Sequence, residues 1–434
     1  MTRWLARAAG VALALVVAGT GTSKAAITWG PQDDLPRAYS WNYGNAMDFT
    51  GTPGSTFRLT DVFVSDATLP QAVFATTSGN GSSWTAARRL SSLTVNAEAP
   101  TVAAAGRTLI AGWMTGFSAY DPAGAPRRVQ IVISSDRGST WARSKNLSPA
   151  GGAVDYPVVG AAKTSFGTVN LYAVWVDAGT GKVVFRERVS GTPWSAPIAL
   201  GATTRSTPTG YSGLANVAAV GDLVVVAWVA DGQGTVKARA VDLSASGSAT
   251  AAATPAEWGT RRAMAEPVVL GQHGAPVVST SRLAGGLATI AWNAPGRQVF
   301  AEVTGEAISP AVTKIFEDGP AAGHDYHGGY ATTIEPSPGG GFVAMWAACR
   351  DTILRHDCNV RRPEARVDLL SVTSADGITF DPPVLAASAK VATQRINDAP
   401  SIVATAGHVF VQYDGSTSTG SDYDVFARVA ASGP

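Results

Sequence analysis

An apolar run closed by an aromatic residue recurs along the chain, at Leu109–Trp113, Leu171–Trp175, Leu223–Trp228, Leu287–Trp292, Phe342–Trp346 and Val409–Tyr413. The residue numbers of the six aromatics put them 62, 53, 64, 54 and 67 positions apart. A period near 58 with no helical pattern inside it leaves room for four short strands per unit. Between these runs lies a second recurring element, a polar turn ending in an aromatic with an apolar residue some six positions later. Its clearest copy is Ser134 to Trp141 with Leu147. Weaker copies run from Thr77 to Trp84 with Leu90, Gly191 to Trp194 with Leu200, Glu257–Trp258 with Met264, and Thr373 to Phe380 with Leu385, and the spacing alone places another near Ile308.

Each unit reads as four strands. The first carries Pro and small residues, as in Pro100–Ala103, Pro157–Gly160 and Pro400–Val403, which suits a crowded centre. The second ends in the aromatic, the third alternates as in Val183–Glu187, and the fourth begins at the Trp of the turn. Composition agrees: charged residues are only 15%, and Gly 47 and Pro 25 mark frequent tight turns. The last unit has three strands, and Thr28–Leu35 repeats the fourth-strand pattern at the other end of the chain. The expected fold is therefore all-β, a seven-bladed β-propeller of four-stranded antiparallel blades, closed by the N-terminal strand pairing with the last blade. Six or eight blades stay open, because strand boundaries between Ala251 and Pro276 are ambiguous.

Arg3 and Arg7 precede an apolar run from Ala8 to Ala18, and Ser23-Lys24-Ala25 has the small-x-small pattern of a processing site. Residues 1–25 are thus expected to be a signal peptide and residues 26–434 a single propeller domain, secreted and extracellular. Loss of Arg3, Arg7 and Lys24 would leave 30 basic against 32 acidic side chains. So even a balance disfavours a nucleic-acid partner, and no other segment is long and apolar enough to span a bilayer. Cys349 and Cys358, the only two cysteines, are expected to pair as one disulfide in an oxidising compartment. A monomer without cofactor or resident metal completes the expectation.

The turn Ser134-x-Asp136-x-Gly138-x-Thr140-Trp141 matches at every defined position the Asp box, the hairpin signature also called the BNR repeat. The chain therefore resembles the Asp-box, sialidase-like β-propeller superfamily. The box itself is structural: the Asp136 carboxylate accepts from turn amides, Gly138 supplies positive φ, and Trp141 anchors the hairpin. The resemblance implies an extracellular protein that is a glycoside hydrolase, a carbohydrate lyase or a non-catalytic recognition domain. Sialidases carry an early Arg-Ile-Pro, and here only Pro36-Arg37-Ala38-Tyr39 stands near the start, so no catalytic residue is carried over.

In such a blade the turns between strands 1 and 2 and strands 3 and 4 share one face, with the Asp boxes. The loops between strands 2 and 3 and the connections between blades share the other. On that second face, Ala347 to Arg366 holds eight charged residues in twenty, together with His356 and both cysteines. The preceding connection holds His324, Asp325 and His327. Further connections add Arg37, Tyr39, Trp41, Tyr43, Asp155, Tyr156, Arg205, Tyr211, His273 and Asp398. The substrate-binding candidates are Arg350, Asp351, His356, Arg361, His324, Asp325, His327 and Trp41. Arg forks bind carboxylates, His and Asp move protons, and aromatics stack on sugar rings. Two functions follow: a secreted glycan-active protein, glycoside hydrolase or polysaccharide lyase rather than strict sialidase, or a non-catalytic lectin or protein-interaction propeller.

Overall fold

Short runs of β-branched and aromatic residues broken by turn formers give strands throughout, and there is no helix among the described residues. The computed structural model describes residues 33–34, 42–50, 57–65, 70–116, 127–149, 154–177, 179–203, 215–229, 236–242, 264–266, 277–280, 287–294, 297–304, 307–336, 341–350, 366–376, 378–388, 401–405, 408–416 and 423–431.

These strands form seven antiparallel sheets. After β1 (Asp33–Asp34), the first sheet is β2 (Asn42–Thr50), β3 (Arg58–Ser65), β4 (Ala72–Ser78) and β5 (Arg88–Arg89). The second is β6 (Ala97–Ala105), β7 (Thr108–Thr115), β8 (Arg128–Ser134) and β9 (Lys145–Asn146). The third is β10 (Val154–Lys163), β11 (Val169–Asp177), β12 (Lys182–Val189) and β13 (Ile198–Ala202). The fourth is β14 (Ala215–Val220), β15 (Leu223–Val229), β16 (Val236–Asp242) and β17 (Met264–Glu266). The fifth is β18 (Val277–Thr280), β19 (Leu287–Ala294), β20 (Arg297–Thr304) and β21 (Ala307–Glu317). The sixth departs from the expected four strands and has five: β22 (Gly319–Ala321), β23 (His324–Pro336), β24 (Phe342–Arg350), β25 (Arg366–Ser374) and β26 (Val384–Ser388). The seventh is β27 (Ser401–Thr405), β28 (His408–Ser416) and β29 (Tyr423–Ala431), with β1 beside β29, Asp33 opposite Ala427 and Asp34 opposite Phe426.

One inner strand of each sheet contacts that of the next, from β2 through β6, β10, β14, β18 and β23, the second strand of the sixth sheet, to β27, and β27 in turn contacts β2. The recurrent aromatics fill the spaces between sheets. Trp113, Trp175, Trp228, Trp292 and Trp346 are all fully buried, and Tyr413 is nearly so. Trp113 packs with Val62 and Val64 of the first sheet, and Tyr413 with Met345 and Leu369 of the sixth, so each aromatic leans on the preceding sheet. Gly201 shows how tight the fit is: a Cβ there would stand 2.8 Å from the Trp228 ring. The first sheet carries buried Phe63 at the same strand position, packed with Ala72, Phe74 and Trp84 of its own sheet, and the sequence pattern missed it because Phe replaces Trp.

The Asp136 turn forms as expected. Ser134 Oγ donates to Asp136 Oδ1 at 2.8 Å, and the Thr140 amide and hydroxyl donate to Asp136 at 2.8 and 2.6 Å. These bonds, the Thr140 hydroxyl first and its amide second, hold the carboxyl down at about 2. Two weaker copies differ from expectation by one residue. In the first sheet Ser78 and Asn80 take the parts of Ser and Asp, with Asn80 accepting from the Ser82 and Ser83 amides. In the sixth sheet Ser374 and Asp376 do so, with Asp376 accepting from the Ile378 and Thr379 amides.

An inner strand is a sheet edge, and its amides need partners. The amide of Val159 donates to Thr101 Oγ1 of the preceding sheet at 3.4 Å. The same contact joins the ends of the chain, where the Met47 amide donates to Ser401 Oγ at 3.0 Å. The registers agree: Thr101 lies opposite Gly112 and Ser401 opposite Gln412, each one residue before the aromatic of its sheet. Phe57 stacks on Phe410 at 5.4 Å across this seam, beside a cluster of Met47, Phe49, Leu59, Val403 and Phe410.

One polar pair is peculiar to the seam. Two residues before the aromatic, six sheets carry buried Ala111, Ala173, Val226, Ile290, Ala344 and Val411, and the first carries Asp61, also fully buried. Gln412 of the seventh sheet is its polar neighbour and is buried too. Neither side chain meets hydrogen-bond geometry with another described group. Burial pushes the Asp61 carboxyl up to about 8, with the Gln412 amide pulling it partly back. The native state therefore holds a proton that the unfolded chain releases above its ordinary value near 3.8. Stability should fall as pH rises through that window, by about 1.4 kcal/mol per pH unit. Chemical denaturation of the wild-type chain and Asp61→Asn is expected to show the wild type losing ground steadily between pH 5 and 8, then running parallel to the variant. A difference independent of pH would mean that Asp61 is ionised in the fold.

Candidate functional site

The expected loop around His324 is part of the sixth sheet. β22 and β23 form a hairpin in which Gly319 lies opposite Tyr326 and Ala321 opposite His324. Its two-residue turn, Ala322 and Gly323, has φ of 47° and 84°, both left-handed as a hairpin turn of this length requires. Ala is poorly suited to that region and strains the backbone by about 1 kcal/mol. The hairpin bounds an open concavity of about 470 Å³, lined by Pro320, Ala321, Ala322, Gly323, His324 and Asp325. It lies at the start of the inner strand, the end of the sheet away from the turn between β25 and β26.

Beneath the concavity, three strands converge on one buried carboxylate. Register puts Tyr326 of β23 opposite Arg350 of β24, and Arg350 opposite Arg366 of β25, two residues from Asp368. Tyr326 Oη donates to Asp368 Oδ2 at 2.8 Å, and Arg350 Nη1 lies 3.4 Å from the same oxygen. Asp368 is fully buried, and the Arg350 side chain is only 10% exposed. The second oxygen, Asp368 Oδ1, is buried without a hydrogen-bond partner among the described residues. Arg350 Nη1 also reaches His324 Nε2 at 3.3 Å. A guanidinium only donates, so this contact makes Nε2 an acceptor and requires the imidazole proton on Nδ1. The His324 ring meets Tyr326 edge-on, with centroids 6.3 Å apart. A chain of contacts thus runs from Tyr326 through Asp368 and Arg350 to His324. His324 is half-buried and Asp325 exposed at the concavity.

Of the expected site residues, the structure brings together His324, Asp325 and Arg350. His327 sits in β23 opposite Cys349 of β24, with its side chain outside the described residues. Cys349 is fully buried. Asp351, His356, Cys358, Arg361 and Trp41 lie outside the described residues, as do Arg37, Tyr39, Arg205, Tyr211, His273 and Asp398. Tyr43, Asp155 and Tyr156, expected in connections, belong to strands β2 and β10, at positions where the inner strand bulges. Among the described residues no group of His, Cys, Asp and Glu is arranged to hold a metal ion.

Asp368 was not anticipated. Its signal is a lone acid in the apolar run Val367-Asp368-Leu369-Leu370, a residue type that enters a strand interior only with a partner.

No family model matches the chain, and no curated protein matches it. Among solved structures it is similar to the Trypanosoma rangeli sialidase in complex with the inhibitor DANA, at 10% identity and a TM-score of 0.46, over 92% of this chain and 57% of that one. The chain thus spans little more than half the length of that sialidase. It is also similar to a protein of unknown function from Dyadobacter fermentans, at 11% identity and a TM-score of 0.48, over 93% of this chain and 99% of that one. A third similarity is to the fucose-specific lectin of Aleuria aurantia, at 10% identity and a TM-score of 0.43, over 82% and 97%.

Removing one partner from the buried ion pair leaves the other charge unmatched, which costs about 3–5 kcal/mol. Asp368→Asn is expected to lower the free energy of unfolding by that amount and Tyr326→Phe by about 1 kcal/mol. Equilibrium unfolding checks this. An Asp368→Asn chain as stable as the parent would show that the carboxylate does not organise these strands.

Proposed function

We propose that this chain is an exported, seven-bladed β-propeller, closed by its N-terminal strand, that binds carbohydrate on the face carrying the β22–β23 hairpin. The ring reading is supported by the cyclic order of inner-strand contacts and by the β1–β29 pairing. Export rests on the leader-like residues 1–25, and a Cys349–Cys358 disulfide would accord with it, as does the lack of a free cysteine among the described residues.

One observation carries the binding reading: the buried Tyr326–Asp368–Arg350 network ends on His324 at the rim of a concavity, beside the exposed carboxylate of Asp325. A sugar presents hydroxyls that both donate and accept. His324 and Asp325 offer matching groups, and a strand-borne histidine fixed by buried partners loses little freedom on binding. A second reading, glycan cleavage by a polysaccharide lyase, is favoured by the His324–Arg350 contact. There, release of Nε2 from Arg350 would free it to take a proton beside a cation able to balance a uronate carboxylate. A glycoside hydrolase would instead need two carboxyl groups flanking the bond.

A glycan array, followed by titration of the best ligand, tests the binding site. His324→Ala and Asp325→Ala are expected to weaken binding at least tenfold, about 1.4 kcal/mol, with unchanged unfolding midpoints. Undiminished binding in both variants, or an array without any ligand, would overturn the assignment. Release of unsaturated products from acidic polysaccharides, lost in His324→Ala, would support the lyase reading.

A further inference from the structure

The opposite face has a different chemistry. Between residues 57 and 149 the chain has nine basic side chains against five acidic, a balance of +4 in a protein whose total is +1. Four of these cations gather at one turn, the Asp136 turn of the second sheet. Arg58, at the start of β3, donates from Nη1 to Ser139 Oγ at 2.8 Å, and Arg88 of β5 donates from Nη1 to the Ser139 carbonyl at 3.1 Å. Arg137 lies within the turn, and its amide donates to the Arg107 carbonyl at 3.0 Å. Arg107 belongs to the β6–β7 turn, which shares this face.

None of the four makes an ion pair with a described residue. The acid nearest in sequence, Asp136, is engaged by Ser134 and Thr140 of its own turn. Arg137 occupies the left-handed region with φ of 63°, a conformation that costs an arginine about 1 kcal/mol and that Asn or Gly adopts readily. A charged side chain therefore stands where the fold alone favours another residue. Arg88 and Arg107 are exposed.

We propose that this Asp-box face of the first two sheets is a docking surface for an anionic polysaccharide, gripping sulfate or carboxylate groups through Arg58, Arg88, Arg107 and Arg137. Guanidinium forks match such oxyanions. Among the large described apolar residues that are exposed, Leu93, Phe166, Ile378 and Leu385, Phe166 is the single aromatic, and it belongs to the β10–β11 turn of the third sheet, so the two sheets that carry the arginines offer no row of exposed rings on which successive bases could stack. The near-neutral total gives no broad field for a nucleic-acid duplex. The surface is independent of the His324 site, being at the other end of the strands.

The test is retention of the full chain on immobilised heparin and on immobilised polygalacturonate, with duplex DNA and neutral dextran in parallel, over a series of salt concentrations. Arg107→Gln combined with Arg137→Asn removes two charges without opposing the backbone at either position. Lys163→Gln combined with Lys182→Gln removes two exposed charges from the third sheet. The wild type and the lysine variant should bind one of the anionic polysaccharides and not dextran. The arginine variant should bind about tenfold more weakly, with a log–log salt slope shallower by roughly one for each arginine replaced. Retention on heparin without retention on polygalacturonate would assign sulfate, and retention on polygalacturonate would assign carboxylate. Flow-through of the wild type on both, equal loss in the lysine variant, or DNA binding as tight at the same salt would overturn the proposal. Because the His324→Ala chain keeps this surface, its unchanged retention separates the two sites.

Discussion

The contact between the first and seventh sheets constrains everything else, because it joins residues more than 350 positions apart and sets the spacing of all the sheets between them. Its chemistry is partly that of the other interfaces. The Met47 amide meets the Ser401 hydroxyl as the Val159 amide meets Thr101, and aromatic rings stack over an apolar cluster. It is also distinct. Asp61 and Gln412 stand where the remaining sheets place residues without a polar side chain. A buried polar pair in place of apolar packing is a poor source of stability, and its best-attested use is to specify which surfaces meet. With seven similar sheets, a mark that distinguishes the joining interface from the internal ones opposes mispairing among copies.

Functional chemistry follows from the same topology. Every sheet runs from an inner strand that starts on one face to turns on the other, so any departure from the repeat at a strand start projects from one predictable rim. The sixth sheet departs most, adding β22 and lengthening β23. Its buried carboxylate Asp368 is reached from two neighbouring strands and fixes Arg350, which in turn meets His324. The far face repeats the polar turns, and there the variable positions of one turn, Arg137 and Ser139, gather the arginines. Rigid strands thus supply two surfaces of different character at the two ends of one scaffold.

Much of the fold was legible because its signals are periodic. Trp at the close of a strand must be buried, and burial of a large ring against the preceding sheet recurs in the second to seventh sheets, so their second strands could be read from the sequence. Fourth strands were legible too, since a turn ending in Trp or Phe fixes where pairing resumes: Arg88–Arg89, Lys145–Asn146, Ile198–Ala202 and Val384–Ser388 all follow such turns. The first sheet was less visible because Phe63 is a weaker mark than Trp. The extra strand β22 was missed because Gly319-Pro320-Ala321 has no strand composition and pairs only through its hairpin partner. At the site, His324, Asp325 and Arg350 stood out as polar residues in a charged stretch. Asp368 and Asp61 did not, because a buried acid is identified by what surrounds it in space.

The most direct measurement is a covalent one. Asp33 and Ala427 are cross-strand partners at the join of β1 and β29, so cysteines at both positions, in the full chain, should oxidise to a disulfide within one molecule. If the ring closes as proposed, mass spectrometry of the oxidised protein will find a peptide linking the two positions. The linked chain will also unfold at a higher temperature than its reduced form. If the thiols stay free under oxidation, or link only different molecules, the two ends of the chain do not share a sheet.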